Sequence, residues 1–308
     1  MTSRRRARRC IVRNSVDPRN VDHRVTDLRD GRATGFHAGE LAVQRHAGVE
    51  RQAARLSTMV ERGELRAGVA DFLASASFAA ITARDTAGRL WVSPLLGPPG
   101  FLVPASPTRL LIGATPHAED PLHGLPADQP VGLIVMDFAA RRRLRINGTL
   151  STAGAGLAID VVQAYGNCPQ YIQPRQVRPG PAGTVPQLIR RGDALDPVDI
   201  EQVQSADTFF LGTSHAEYGS DASHRGGPPG FVRADADGLR WPDFPGNNMF
   251  NSLGNLAVDP AAALLFVDFL SGRTLQLSGT ADVRWDDAGE RSVELVVRDV
   301  VVTALTVL

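Results

Sequence analysis

The feature that most constrains this chain is that it repeats itself once. "FAAITARDTAGRLWVSPLLGPPGF" (78–101) lies over "TFFLGTSHAEYGSDASHRGGPPGF" (208–231) without a gap. Further along, "GLIVMDFAARRRLRINGTLS" (132–151) lies over "ALLFVDFLSGRTLQLSGTAD" (263–282), with Asp137 on Asp268, Phe138 on Phe269 and Gly148-Thr149 on Gly279-Thr280. Two separate blocks agree in order and spacing. The period, about 130 residues, is far longer than a solenoid unit, so the chain is a duplicated domain rather than a repeat array. At 308 residues it has room for two domains of ordinary size.

Each unit reads as a short leading helix followed by five or six strands. In the first unit, Leu41, Val43, Val49, Ala53, Leu56 and Val60 recur at three- and four-residue spacings, which predicts mostly helix over 36–63, and a second helical piece covers 64–77. Apolar runs then predict strands at 78–85, 89–97, 109–114, 130–138 and 142–151, with 157–167 a strand that runs into a turn. Residues 174–195 are rich in Pro, Gly and Arg and read as a linker. Asp196 then caps a helix with Pro197 at its first position, and the order of elements restarts. Each unit is also expected to carry one helix before its apolar fourth strand. The predicted class is mainly β with short helices (α+β), as two tandem small antiparallel barrels. The expected divisions are a disordered basic tail (1–35), a first barrel with its leading helices (36–173), the linker (174–195) and a second barrel (196–308).

Composition removes whole chemistries. All 33 basic residues are arginine. With no lysine there is no Schiff base to pyridoxal phosphate and no P-loop lysine, so a phosphate must be held by Arg, hydroxyls, amides or backbone N–H groups. The formal net charge is zero, which recruits neither nucleic acid nor an anionic membrane. Residues 1–35, however, hold ten Arg against four Asp. Cys10 and Cys168 offer no metal-ligand spacing and no disulfide framework, so a reducing cytoplasm is expected. No run approaches the roughly 18–20 apolar residues of a membrane helix. The histidines form no HExxH or similar group, and no metal site is expected.

Three polar clusters interrupt the apolar strands of the second unit. Ser223, His224 and Arg225 precede the Gly-Pro-Pro-Gly turn, whereas the first unit has Ser93, Pro94 and Leu95 there. "FPGNNMFNSLGNL" (244–256) puts Asn and Ser at the start of a predicted helix, where free N–H groups favour an anion. Thr274, Gln276 and Ser278 form the polar face of a strand, with Arg273 beside them. Together these can hold a phosphorylated planar cofactor. The arginines of "RRRLR" (141–145) alternate between strand faces, so some can reach a phosphate or the facing domain. The acidic Glu119 and Asp120 at the matching first-unit position would repel a phosphate.

The paired pattern "GPPGFL…GLIVMDF…RRRLRINGT" and "SHRGGPPGFV…FPGNNMFNSLGNL…ALLFVDF…GRTLQLSGTA", with "FHAGE" and "YGNCPQYIQPR", resembles the pyridoxamine 5′-phosphate oxidase family, and within it the bacterial tandem members of the FMN-binding split-barrel superfamily. The resemblance covers about residues 36–308. It implies a six-stranded split barrel in each half and FMN between two barrels, here as an intrachain pseudo-dimer that can associate further into a homodimer. Carried over by position, it implies FMN contacts at Ser223, His224, Arg225 and Gly226, at Asn247, Asn248, Asn251 and Ser252, and at Arg273, Thr274 and Gln276. Where the family's oxidases have an Arg-Lys pair at the helix start, this chain has Asn251 and Ser252. The first half is expected to supply walls rather than phosphate contacts. The function implied is an FMN-dependent oxidoreductase acting on a small-molecule substrate, with NADH or NADPH as reductant. His224 is the one candidate for catalysis, and Cys168 reads as either a redox thiol or an inert cysteine. Two alternatives stay open: a haem-binding split barrel, with His224 or His215 as axial ligand, and a non-catalytic flavin-binding module.

Overall fold

The computed structural model describes residues 35–61, 63–154, 156–177 and 186–305, and the backbone of a two-residue strand pair, β1 (Leu28–Arg29) with β2 (Arg32–Ala33). The rest of the expected basic tail, Cys10 and the centre of the expected linker lie outside the described residues.

The leading helical segment is broken into α1 (Ala38–His46), α2 (Glu50–Ala54) and α3 (Ser57–Val60). His37 caps α1: its ring accepts the Gly39 N–H, while the Glu40 carboxyl accepts the His37 N–H in a capping box. After α4 (Ala70–Ser75) come β3 (Phe78–Arg84), β4 (Leu90–Leu96), β5 (Leu102–Ser106), β6 (Arg109–Ile112), β7 (Pro130–Asp137), β8 (Arg142–Ala153) and β9 (Gly156–Gly166). They form one antiparallel sheet in the order β4-β3-β7-β8-β9-β6-β5.

The second half contains β10 (Gln187–Gly192), α5 (Pro197–Ser205), β11 (Thr208–His215), β12 (Gly219–Gly226), β13 (Arg233–Ala234), β14 (Gly238–Pro242), α6 (Asn251–Val258), β15 (Ala261–Val267), β16 (Arg273–Trp285) and β17 (Arg291–Ala304). Its sheet runs β12-β11-β15-β16-β17-β14-β13, the same path as the first with each strand replaced by its repeat. Even the irregularity is duplicated: the β8–β9 register slips between Asn147 and Gly148, and the β16–β17 register between Ser278 and Gly279. These paired bulges account for the repeated Gly-Thr. The chain is thus mainly β with short helices, as two tandem split barrels.

The central strands are apolar on both faces because both faces are buried. Ile81 of β3 points into the first barrel's core, while Phe78 and Ala80 point into a layer between the barrels. Phe209 and Leu211 of β11 fill the second core, and Phe210 meets Phe78 in the shared layer at 5.2 Å between ring centres. The two sheets therefore stack face to face with aromatic contact at the seam.

Three expectations differ from the structure. Each sheet runs through seven strands rather than five or six, because the short edge strands β5 and β13 carry too few residues to stand out as apolar runs. The segment read as a linker contains β10, which pairs with β17 and lengthens the second sheet; the Pro, Gly and Arg around it hid a strand that has only one neighbour. The first barrel also lacks the inserted helix. Residues 118–124, opposite α6 in the repeat, form turns, with Pro121 inside the segment and Gly124 at φ 62°.

Candidate functional site

The repeated Gly-Pro-Pro-Gly-Phe is one turn built twice. The Phe101 N–H donates to the Pro98 carbonyl and the Phe231 N–H to the Pro228 carbonyl, both at 3.0 Å, with Gly100 and Gly230 at φ 92° and 86°. Glycine is required at that position of a type II turn. In the second barrel the turn directs β12 beneath the start of α6, and a cavity of about 110 Å³ opens there. Ser223 to Gly226, Asn247, Asn248, Asn251 and Ser252 all line it.

Arg143 and Arg145 line it too, and both come from β8 of the first barrel. Arg145 donates to the Ser223 hydroxyl (2.8 Å), the Tyr165 hydroxyl (3.1 Å) and the Asn251 side-chain oxygen (3.2 Å), and pairs with Asp221 at 3.0 Å. The Ser223 and Ser252 hydroxyls lie 2.7 Å apart, and Ser252 donates to Asp221. Arg143 donates to His224 Nδ1 at 2.9 Å and to the His224 carbonyl at 3.3 Å. Arg225 donates to Asp243 (2.7 Å), which also accepts from Arg291 (3.0 Å). The first half thus contributes charge as well as walls.

The electrostatic balance is positive. Four guanidinium groups, of Arg143, Arg145, Arg225 and Arg291, face two carboxylates, of Asp221 and Asp243. Glu40, whose carboxyl accepts from Asn251, is neutral at pH 7: burial raises it to about 8. Two positive charges remain. Arg143 has no carboxylate partner among the described residues, and burial followed by Arg145 and Arg225 lowers it to about 10, still charged. Burial, reinforced by Arg143, pushes His224 well below the usual histidine range. Because a guanidinium only donates, His224 Nδ1 must accept, and the neutral ring carries its proton on Nε2. His224 thus presents an unpartnered Nε2 N–H, while its Nδ1 is taken by Arg143.

Five buried side-chain nitrogens here have no partner: His224 Nε2, Asn167 Nδ2 and the Nε atoms of Arg143, Arg145 and Arg225. The start of α6 has no side-chain cap, and the preceding Asn248 and Phe250 hold left-handed backbone at φ 62° and 60°. Helix N–H groups, the His224 Nε2 proton and unpaired guanidinium donors make a set that fits a phosphate monoester, whose two negative charges match the local excess. Tyr171 and Phe244 stack at 5.4 Å on the rim. Cys168 also lines the cavity, as an exposed free thiol.

Arg273, Thr274 and Gln276 do not join this cavity. Arg273 pairs with Asp199 of α5 at 2.6 Å, and the Thr274 hydroxyl bonds that of Thr303. Gln276 donates to the Val92 carbonyl, the Ser93 hydroxyl and Asp120. The reason is the face-to-face packing: each barrel's sixth strand crosses to the other barrel's second strand, so β16 meets β4 while β8 meets β12. In the repeat Arg145 stands over Gln276 and Ser223 over Ser93. The equivalent first-half place is closed by the Ser93–Asp120–Gln276 network, where burial raises Asp120 to about 6. His215 lies elsewhere, 4.4 Å from the His37 ring. The alignment that reveals the repeat is also the signal that could have found Arg143 and Arg145.

Residues 199–300 match the family described as Pyridoxamine 5′-phosphate oxidase, in line with the resemblance read from the sequence. No curated protein matches the chain. Among solved structures, the chain is similar to a candidate pyridoxamine 5′-phosphate oxidase from Lactobacillus delbrueckii (16% identity, 37% of this chain and 97% of that one, TM-score 0.31). It is also similar to HutZ, the haem storage protein of Vibrio cholerae (13%, 35% and 94%, TM-score 0.28), and to general stress protein 26 of Bacillus anthracis (11%, 36% and 93%, TM-score 0.28). No helix among the described residues is long and apolar enough to cross a membrane.

Proposed function

We propose that the cavity between β12, α6 and β8 holds the phosphate of FMN and that the protein is a flavin-dependent oxidoreductase acting on a small molecule. The observation that carries this reading is the convergence of unpaired donors and two excess positive charges, drawn from both barrels, at an uncapped helix start. The match of the second barrel to an oxidase family supports it. When bound, the isoalloxazine supplies the hydride chemistry. The protein's own residues bind and orient. Arg143 and Arg225 neutralise the phosphate, the α6 N–H groups donate to it, and His224 adds its Nε2 proton. The Arg145–Asp221 pair fixes the Ser223 and Ser252 hydroxyls, which frees neither charge for solvent.

The test is binding of FMN against riboflavin, followed by flavin fluorescence on the full chain. FMN is expected to bind about 10- to 100-fold more tightly, since a net gain equal to one charge-assisted contact contributes about 1.5–3 kcal/mol. Arg143→Gln with Arg225→Gln is expected to remove most of that preference. Equal affinity for both flavins would overturn the placement of the phosphate. A Soret band in the purified protein with no flavin bands would favour haem instead. Anaerobic bleaching of bound FMN by NADH or NADPH would separate an enzyme from a binding module.

A further inference from the structure

A second cleft, of about 440 Å³, lies on the first barrel where the segment from α3 to α4 crosses the open end of the β8–β9 hairpin. Its floor is apolar: Phe72, Leu144 and Ala164 are buried there and Val69 is partly so. Its rim is basic. Arg66, Arg141, Arg142 and Arg143 line it against a single acid, Glu64. Arg141 is set by a left-handed turn residue (φ 52°) and donates to the Pro169 carbonyl, and the Arg142 guanidinium lies 4.9 Å from the Phe72 ring centre. Among the described residues, none of these four arginines has a carboxylate partner. A lone surface arginine is ordinarily just solvated. Three that converge, Arg66, Arg141 and Arg142, on a concave apolar floor of ligand size, with one acid among them and Arg143 shared with the phosphate cavity, form a recognition pattern.

We propose that this cleft is a second binding site, for a small flat aromatic anion whose ring rests on Phe72 and Leu144 and whose carboxylate, phosphate or sulfonate meets the arginine rim. It adjoins the phosphate cavity, because Arg143 and Asn167 line both. A ligand here as the reacting partner of a bound flavin rests on the function proposed above; the binding itself does not.

The probe is 2-naphthoate, compared with its neutral analogue 2-naphthylmethanol by calorimetric titration of the full chain. The acid is expected to bind once per chain, about tenfold tighter than the alcohol. Arg66→Gln with Arg142→Gln, both exposed positions, should lower naphthoate affinity at least about tenfold. Arg66→Lys with Arg142→Lys should keep part of it, and FMN affinity should not change in either. If the double variant fails to give the native circular dichroism spectrum, Arg66→Gln alone carries the comparison. Equal binding of acid and alcohol, full naphthoate affinity in the Gln variants, or mutually exclusive binding of naphthoate and inorganic phosphate would each overturn the second site. Naphthoate binding that depends on Arg66 and Arg142 in a protein that binds no FMN would uphold this site and remove the flavin reading.

Discussion

At the scale of single residues, the site depends on buried charges that are held only by one another. Arg145 is 7% exposed and is the ionic partner of Asp221. Arg145→Met leaves that carboxylate buried and unpaired, and is expected to cost about 3–5 kcal/mol in urea unfolding. The isosteric replacement Glu40→Gln gives a different signature. Glu40 is raised to about 8, so the folded state keeps its proton where the unfolded state has lost it. Its stabilising contribution is full below about 4.5 and disappears as pH rises through about 8. His37, lowered to about 3, acts in the opposite sense, but only below its ordinary value of 6.5. Between pH 6.5 and 8, wild type should therefore lose stability with rising pH, and Glu40→Gln should flatten that slope in thermal melts. Ser223, His224, Arg225, Asn251 and Ser252 were legible in the sequence because they interrupt apolar runs beside a turn. Arg143 and Arg145 were legible only as alternating charge, since nothing local says which barrel a strand's polar face will meet. Arg273, Thr274 and Gln276 read as FMN contacts in the sequence for that same reason.

At the scale of elements, α6 is positioned by α1, a helix from the far end of the chain. The two approach so closely that a Cβ on Gly39 would lie 2.2 Å from the Gly254 carbonyl oxygen, and one on Gly254 would lie 2.4 Å from Glu40 Cγ. His37 Nε2 bonds the Asn255 side-chain oxygen across the same contact at 2.9 Å. Gly39→Ala should push α1 away and tilt the start of α6. The expected loss is about 1–3 kcal/mol of stability together with weaker FMN binding, whereas Ala at Gly68, where a Cβ meets nothing, should change neither. The central strands themselves were legible because both of their faces are apolar over most of each run. The Pro- and Gly-rich approach to β10 and the missing helix near Pro121 were not, since punctuation residues mark chain breaks without saying whether a pairing edge lies nearby.

At the scale of the whole molecule, duplication has produced two equivalent places with opposite fates. One keeps open donors; the other is closed by Ser93, Asp120 and Gln276. The chain should therefore take up one FMN rather than two, measured as flavin absorbance per chain after denaturation. A ratio near two would show that the Gln276 network opens to admit a ligand. Joining the barrels in one chain has a kinetic meaning as well. In a dimer of separate barrels, Arg143 and Arg145 would arrive by encounter, and the cavity would come apart on dilution. Here β8 and β12 are tethered, so the arginines are present at a fixed effective concentration and occupancy should not depend on how much protein is in the tube. Tethering also lets a substitution alter one cavity without imposing itself on its twin, a freedom that no symmetric pair of identical subunits has.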